Sequence, residues 1–465
     1  MTNGPFPVPN ATVPFWRTEL HELDSHRSTV EIPDKQDILI IGAGFAGASV
    51  AYHLLKDTSD SERPSVTILE AREACSGATG RNGGHLRPDI FNGAASRARK
   101  RGLDVANEVT RFELENFDAV VDFIKSEGVD CDLNILDSSC VAVDEKEAAE
   151  LRSLWEYMSR EGSPQLSKVR YYGPEEAEEK SGVRGAVAMY TFPAAVLWPY
   201  KMVMHLLASA VAAGVNLQTH TPVHSVSAAA DSEGYWTIET SRGHTRAKRV
   251  VFATNGYTSG LLPEYTNAII PSRGTCARVV AMDPSQLPHP FPSSAVVSQS
   301  PNSFDSYWGV RPDGSYIVGG ATPYRNRREL WQGVYNDSSL IEPSVPFFEQ
   351  WGRKNFVGWE DAETKVANVW TGIMGYTADD VPHIGLVPGR EGLHICAGFI
   401  GHGMPNVFLC ARAVAKHLKD NSSNTPFAEL GIPACYETSS DRLQRAREEY
   451  LARWPLDKPL VKDEN

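Results

Sequence analysis

The apolar positions of this chain sort into runs of strand length and stretches of helical period. Ile38-Leu39-Ile40-Ile41, entered from Asp37, is apolar without alternation, the pattern of a strand buried on both faces. A glycine-rich hexapeptide follows, then a helix-like stretch at 48–55, then a second buried strand, Val66-Thr67-Ile68-Leu69. Over 95–127, Val105, Val109, Phe112, Phe117, Val120, Phe123 and Ile124 fall near a 3.6-residue period, which predicts one long helix stopped by Gly128. A charged helix is expected over 145–160, and another over 200–213, opened by Pro199 and closed by Gly214.

Trp236 to Thr240 reads as a strand, and Arg249 to Gly256 as a central parallel strand returning to the first sheet. Residues 270–365 differ. Short β-rich runs (279–282, 306–310, 316–318) are separated by turns such as Pro312-Asp313-Gly314, which predicts an antiparallel sheet. Leu393 to Ala397 is again a strand, followed by a glycine-rich loop and a helix over 406–418. The charged helix at 436–453 reads as a solvated face.

These elements predict an α/β fold: a Rossmann-like domain with a parallel sheet, interleaved with an α+β substrate domain built on an antiparallel sheet. The expected boundaries are an extended N-terminal arm at 1–35, pinned by Phe15 and Trp16. The dinucleotide domain takes 36–130, 196–271 and 366–430. The substrate domain takes 131–195 and 272–365, and a helical tail covers 431–465. No internal repeat is evident.

Between the first strand and helix stands Gly42-Ala43-Gly44-Phe45-Ala46-Gly47. Gly42 permits the tight turn off the strand, Gly44 lets the backbone approach a pyrophosphate, and Gly47 lets the helix pack closely on the sheet. The helix N-terminus points unpaired N–H groups and a positive dipole end at the phosphates. The second strand ends on Glu70, followed by Ala71; an acid there suits ribose hydroxyls and favours FAD or NAD over NADP. Glu70 lies 28 positions after Gly42, against about 20 in nicotinamide sites, the excess being a polar loop at 56–64. A lone glycine fingerprint is a common accident of α/β chains. Strand, helix, terminal acid and the following Gly80-Arg81-Asn82-Gly83-Gly84 together specify a flavin dinucleotide site.

A net charge of −13 over 465 residues argues against nucleic acid or an anionic membrane as partner. No apolar run approaches the about 18 residues of a membrane span, and the N-terminus has neither a basic nor an apolar leader region, so a cytoplasmic protein is expected. The seven cysteines are scattered, odd in number and without a C-x-x-C pair, which leaves no metal site and no disulfide framework in view.

On Gly42-x-Gly44-x-x-Gly47 with Glu70, Gly80 to Gly84, Ala253-Thr254-Asn255-Gly256 and Gly398-Phe399-Ile400-Gly401-His402-Gly403-Met404, the chain resembles the D-amino-acid oxidase superfamily of FAD-dependent amine oxidoreductases, glycine and sarcosine oxidases included. The Arg-Asn-Gly-Gly element is most similar to the γ-glutamylputrescine oxidase branch. The resemblance spans about Asp37 to Leu418. It implies that Arg81, Asn82, Gly83 and Gly84 run along the flavin ring and that Val223 meets the adenine side through its backbone. Asn255, Gly256 and Trp370 belong to further cofactor-binding segments. Residues 398–404 would sit at the pyrimidine edge, where the N-terminus of the following helix stabilises negative charge.

Two departures from the family pattern matter. Glycine oxidase-like members carry a carboxylate-gripping arginine after Trp-x-Gly; in Trp370-Thr371-Gly372-Ile373-Met374 that slot holds Met374, which speaks against a plain α-amino acid. Arg311 is an alternative cation for the substrate, or a surface arginine. No cysteine lies between Cys276 and Cys396, so FAD is expected to bind without a covalent link.

A second dinucleotide fingerprint and a Gly-Asp step are both absent, so the organic substrate is the expected reductant. The reaction expected is oxidation of an amine C–N bond to the imine by hydride transfer to flavin N5, with O2 reoxidising the flavin to give hydrogen peroxide. Alternatives stay open: a flavin amine dehydrogenase with another acceptor, a tailoring oxidoreductase of an amine natural product, or a catalytically silent FAD-binding module. His85 reads as a proton acceptor or a packing residue, and His402 as facing the flavin or bonding its own backbone. Tyr307 and Trp308 read as pocket walls or core. His383 reads as structural.

Overall fold

In the computed structural model, which describes residues 4–56, 58–283, 294–298, 306–320, 327–342, 344–420 and 425–453, the apolar run at 38–41 lies at the centre of a sheet. The chain runs through β1 (Lys35–Ile41), α1 (Phe45–Leu55), β2 (Val66–Leu69), β3 (His85–Leu86), α2 (Asn92–Arg101), α3 (Leu103–Ser126), β4 (Asn134–Ala142) and α4 (Glu145–Arg160). It continues through β5 (Arg170–Tyr172), α5 (Pro174–Ser181), β6 (Ala188–Val196), α6 (Pro199–Ala212), β7 (Asn216–Gln218), β8 (Val223–Val226), β9 (Trp236–Thr240) and β10 (Gly243–Phe252). The last part holds β11 (Ile269–Ala281), β12 (Ser294–Ser298), β13 (Ser306–Val310), β14 (Tyr316–Gly320), α7 (Ser344–Asn355), β15 (Thr364–Thr377), β16 (His383–Leu386), β17 (Leu393–Ala397), α8 (Val407–Lys419) and α9 (Ser440–Arg453).

The first sheet has the order β16-β17-β10-β1-β2-β7, with β9 and β8 carried on β10. Its central pairs, β17–β10, β10–β1, β1–β2 and β2–β7, are parallel. The pairing of β10 with β1 is the expected return of the strand read at 249–256 to the first sheet, although β10 ends at Phe252. Helices α1, α6 and α8 bury their apolar faces against this sheet in one core. The second sheet has the order β15-β11-β14-β13-β12-β4-β6-β3, with β5 on β6. It is antiparallel except where β12 lies parallel to β4. Its outer face packs on Phe348, Trp351, Phe356 and Trp359.

Several boundaries move. The stretch at 95–127 is two helices, because Gly102 sits at φ +88° between α2 and α3, a conformation that ends the first and begins the second. The boundaries at 271/272 and 365/366 fall inside β11 and β15, which pair with each other from Ile269↔Thr377 to Ala281↔Thr364. Residues 366–377 thus belong to the second sheet, since a strand goes where its hydrogen-bonding partner is. The tail helix α9 is not wholly solvated. Leu443 and Ala446 are buried, and Arg442 forks onto both Asp379 oxygens at 2.7 and 3.0 Å. The part of the tail after Arg453 lies outside the described residues. No helix among those described is long and apolar enough to cross a membrane.

The interior holds neutral imidazoles. Burial pulls His53 and His394 down to about 3 and His85 to about 4, and pushes His383 well below its ordinary value. A depressed histidine pKa contributes stability that is present above the unfolded value near 6.5 and lost as pH falls toward the folded value. The urea midpoint is therefore expected to fall between about pH 6.5 and 4, with proton uptake on unfolding. A flat midpoint over that window would contradict the neutral, buried assignment.

Candidate active site

One cavity of about 1010 Å³ runs from the β1–α1 turn to the inner face of the second sheet. At the β1–α1 end the glycines have no room for side chains. A Cβ on Gly42 (φ +109°) would lie 2.7 Å from the Ala253 carbonyl oxygen, and one on Gly47 would lie 1.9 Å from the Gly42 oxygen. Gly44 faces the cavity beside Thr79, whose hydroxyl accepts from the Phe45 N–H at 2.9 Å. Glu70 accepts from the Ala43 N–H at 2.8 Å and the Arg72 N–H at 3.0 Å, so its carboxylate is held at the turn. Gly42, Phe45, Ala46, Ala71 and Val223 also line this end, while Ala43 and Gly47 stand behind it as turn and packing residues. A bare glycine cradle at a helix N-terminus, with a fixed acid at the end of β2, fits a dinucleotide.

The 80–84 turn forms the middle of the wall. Arg81 is buried and tied down. Its Nε donates to the Ser76 carbonyl at 2.7 Å and its Nη1 to the Thr371 carbonyl at 2.7 Å, with Asp337 3.5 Å away. Burial brings its pKa down to about 10, against the pull of Asp337, so it stays charged at neutral pH. Arg72 forks onto the same Asp337 at 2.9 and 3.1 Å. Asn82 shapes the turn, its Oδ1 accepting from the Gly84 N–H at 2.8 Å. Gly83 lines the cavity, where a Cβ would come within 2.6 Å of the Tyr307 ring. Gly84 lies behind it against Trp16 and Leu197, and Trp370 is buried with its indole donating to the Arg81 carbonyl at 2.8 Å.

The N-terminal arm belongs to this wall, which its sequence did not show. Phe6 and Pro7 line the cavity. The Thr12 hydroxyl accepts from Arg81 Nη1 at 3.0 Å, and Trp16, fully buried, donates its indole N–H to the Asn82 carbonyl at 2.6 Å.

Opposite, the second sheet contributes by alternation. Tyr307 faces the cavity, its hydroxyl 3.1 Å from Cys276 Sγ, while Trp308 turns into the outer aromatic core. His85 Nε2 lies 2.8 Å from the Trp308 carbonyl. A carbonyl only accepts, so Nε2 carries the proton and Nδ1 keeps its lone pair beside Gly83. Burial, with a lesser push from Arg87, leaves His85 neutral with a pKa of about 4. Met374 lines the cavity. Arg311 does not: its guanidinium pairs with Asp132 and sits among the rings of Phe15, Trp16 and Trp198, so the cation considered for the substrate is a packing element elsewhere.

The loop after β17 closes the far end. Phe399, Gly401, His402, Gly403 and Met404 line the cavity. Asn255 Oδ1 accepts from the Gly398 and Phe399 N–H groups at 3.1 and 3.2 Å, and Gly256 packs against the Met374 carbonyl; Gly256 and Gly398 are supports rather than lining. Ile400 holds φ +49°, a strained conformation for a β-branched residue. His402 does not bond its own backbone through the ring. Its Nε2 lies 3.1 Å from Glu113 Oε2, a fully buried carboxylate that also accepts from the Asp89 N–H at 2.6 Å and lies 3.6 Å from Arg97. Burial would raise the Glu113 pKa, but His402 and Arg97 pull it down to about 2. One turn on, Asn116 clamps the same loop, donating to the Met404 carbonyl at 3.2 Å and accepting from the Leu409 N–H at 2.9 Å. Among the described residues no group of three or more His, Cys, Asp and Glu is placed to hold a metal.

A glycine turn on a parallel sheet, an acid at the end of the next strand and a second sheet facing the same cavity define a dinucleotide-dependent oxidoreductase. Residues 37–417 match the FAD dependent oxidoreductase (DAO) family, and the chain belongs to it. FAD is thus the cofactor of this protein. Among relatives, the chain is 24% identical to γ-glutamylputrescine oxidoreductase of Escherichia coli, over 85% of this chain and 86% of that protein. Its fold is similar to the crystal structure of glycine oxidase from Geobacillus kaustophilus, with a TM-score of 0.67 at 22% identity over 85% and 98% of the two chains. It is also similar to that of L-proline dehydrogenase from P. horikoshii, with a TM-score of 0.65 at 19% identity over 87% and 98%.

Proposed function

We propose that the protein oxidises the carbon–nitrogen bond of an amine or amino acid to an imine, which water then hydrolyses, with O2 as the final electron acceptor and hydrogen peroxide as its product. The observation that carries this reading is the shared cavity: the glycine cradle and the inward residues of the second sheet, His85, Tyr307 and Met374, line one space. When bound, FAD supplies a two-electron acceptor for the C–H bond beside nitrogen. The chain supplies position and proton handling. His85, neutral and with its Nε2–H on the Trp308 carbonyl, offers Nδ1 as a hydrogen-bond acceptor that orients the uncharged substrate nitrogen; the ammonium proton itself goes to solvent, because an imidazole with a pKa of about 4 does not hold it at neutral pH. Tyr307 walls the same side, and His402, oriented by Glu113, faces the cavity from the other.

The relatives' names support an amine or amino-acid donor and include both an oxidoreductase and a dehydrogenase, so a dehydrogenase passing electrons to another acceptor is the second reading. Retention of FAD without a covalent bond is part of the proposal. Cys276 and Cys396 line the cavity; burial pushes the Cys276 thiol up to about 11 and raises that of Cys396, so neither is an activated thiolate.

Anaerobic titration of the purified yellow protein with amines, amino acids and N-methyl compounds tests the reading. One class is expected to bleach the flavin, and air to restore it with peroxide. Bleaching without peroxide selects the dehydrogenase reading; no bleaching by any of them sinks the amine assignment. Heat denaturation is expected to release the flavin into the supernatant.

A further inference from the structure

We propose that the N-terminal arm is a cofactor-binding element: Phe6 and Pro7 cover bound FAD, and residues 4–8 form a strap across the crevice that retains it. The proposal rests on the non-covalent retention proposed above and not on the identity of the substrate. The family match begins at residue 37, so the arm lies ahead of the domain that carries the glycine turn. Its path carries the argument. In the first sheet β1 stands between β10 and β2. A dinucleotide binds in the crevice outside the carboxyl ends of such strands. The turn at 255–260 follows β10, and Arg72 follows β2. The arm reaches from one to the other. Pro5 and Phe6 pack on Gly260, where a Cβ would come within 2.6 Å of the Pro5 carbonyl oxygen and 3.3 Å of Phe6 Cε1. The Val8 carbonyl accepts from Arg72 Nη1 at 3.1 Å. Phe6 and Pro7, between those two holds, line the cavity.

The arm has an anchored part and a lighter one. The Thr12 N–H donates to the Asp337 carbonyl at 2.9 Å, and its hydroxyl accepts from Arg81 Nη1 and the Thr371 N–H, both at 3.0 Å. Phe15 and Trp16 are buried, and Trp198 donates its indole N–H to the Trp16 carbonyl at 2.6 Å. Ahead of this anchor the chain turns at Asn10, which is exposed and holds φ +59°. Residues 4–8 then lie against the crevice through the Arg72 bond and the packing on Gly260. Prolines at positions 5, 7 and 9 fix φ, so closing the strap orders few torsions. An aromatic ring and a proline laid over the phosphate position exclude water. That strengthens the attraction of the α1 N-terminus for the dinucleotide. FAD loads and leaves when the segment ahead of Asn10 lifts, while Thr12 to Trp16 stay in place as wall.

The rate of FAD release tests this on the full-length, FAD-loaded protein. It is followed by the rise in flavin fluorescence after dilution and requires no substrate. Phe6→Ala combined with Pro7→Ala is expected to release FAD about 10-fold faster than wild type. Gly260→Ala makes the same test from outside the cavity lining. The three atoms nearest its added Cβ all belong to Pro5 and Phe6, so the methyl group displaces the strap and leaves the lining in place. A similar acceleration is expected, with the far-ultraviolet circular dichroism of both variants unchanged. Val13→Ala, at an arm position 67% exposed, should release FAD at the wild-type rate. Release at the wild-type rate in the double variant or in Gly260→Ala overturns the proposal. So does acceleration by Val13→Ala equal to theirs, which would make the effect a general loosening of the arm. Flavin that stays with the heat-denatured protein also overturns it, because a covalent bond would then retain the cofactor. Failure to find a reducing amine bears on the proposed reaction alone and leaves the strap standing.

Discussion

Gly47→Ala is expected to give a protein that purifies colourless and melts well below wild type. The added Cβ would sit 1.9 Å from the Gly42 carbonyl oxygen and 3.1 Å from Ile40 Cγ2. Both lie on β1 or its turn, and the nearer is backbone, so no side-chain rotation relieves the clash. Helix α1 must lift off the sheet, and it packs against α6 and α8 in the main core. Overpacking of this kind costs about 1–3 kcal/mol, more where backbone must move. The same displacement withdraws the α1 N-terminus from the phosphate position. Flavin absorbance per mole of protein and a thermal melt check both parts; full flavin content with an unchanged melt would refute the cradle geometry.

Glu113→Ala is expected to be the more destabilising change, by about 3–5 kcal/mol, because it leaves Arg97 and His402 facing an empty buried site. Glu113→Gln keeps the shape and removes the charge, and its effect has a defined pH dependence. The folded carboxyl titrates at about 2 against an ordinary 4.5. A depressed carboxylate pKa contributes stability fully present above about pH 4.5 and lost as pH falls toward 2. The gap in urea midpoint between wild type and Glu113→Gln should be widest near neutral pH and narrow steadily below about pH 4.5. A gap independent of pH would show that the ionised carboxylate does not hold this network together. The displaced 398–404 loop should also lower flavin content in the alanine variant, since Glu113 and Asn116 are what fix its position.

What the sequence displayed, it displayed through local patterns. The strand-turn-helix at 37–55 was legible because a two-sided buried strand, a turn requiring glycine and a helix start are all constraints within about a dozen residues. The inward and outward faces of the second sheet were not. Tyr307 and Trp308 are neighbours of similar composition, and only the pairing of β13 with β12 and β14 decides which one meets the cavity. Glu113 and Asn116 carry a signal in the sequence. They lie in the apolar stripe of α3 beside Val109, Phe112 and Val120, where a buried polar side chain needs a partner. That partner, the 398–404 loop, is nearly 300 positions away.

By itself the sequence determined the dinucleotide cradle, the acid at the end of β2, the two-sheet α/β plan and, through its motifs, the FAD-dependent family. Each follows from residues whose constraints are satisfied by their near neighbours. The tertiary structure decided the rest: that the N-terminal arm forms part of the wall, that β15 joins the second sheet, that Arg311 is a packing cation away from the cavity, and that Glu113 orients His402. Those outcomes depend on which distant groups arrive to bury, pair or leave unpaired a given side chain. Burial and charge compensation are properties of that assembled environment and not of any stretch of chain.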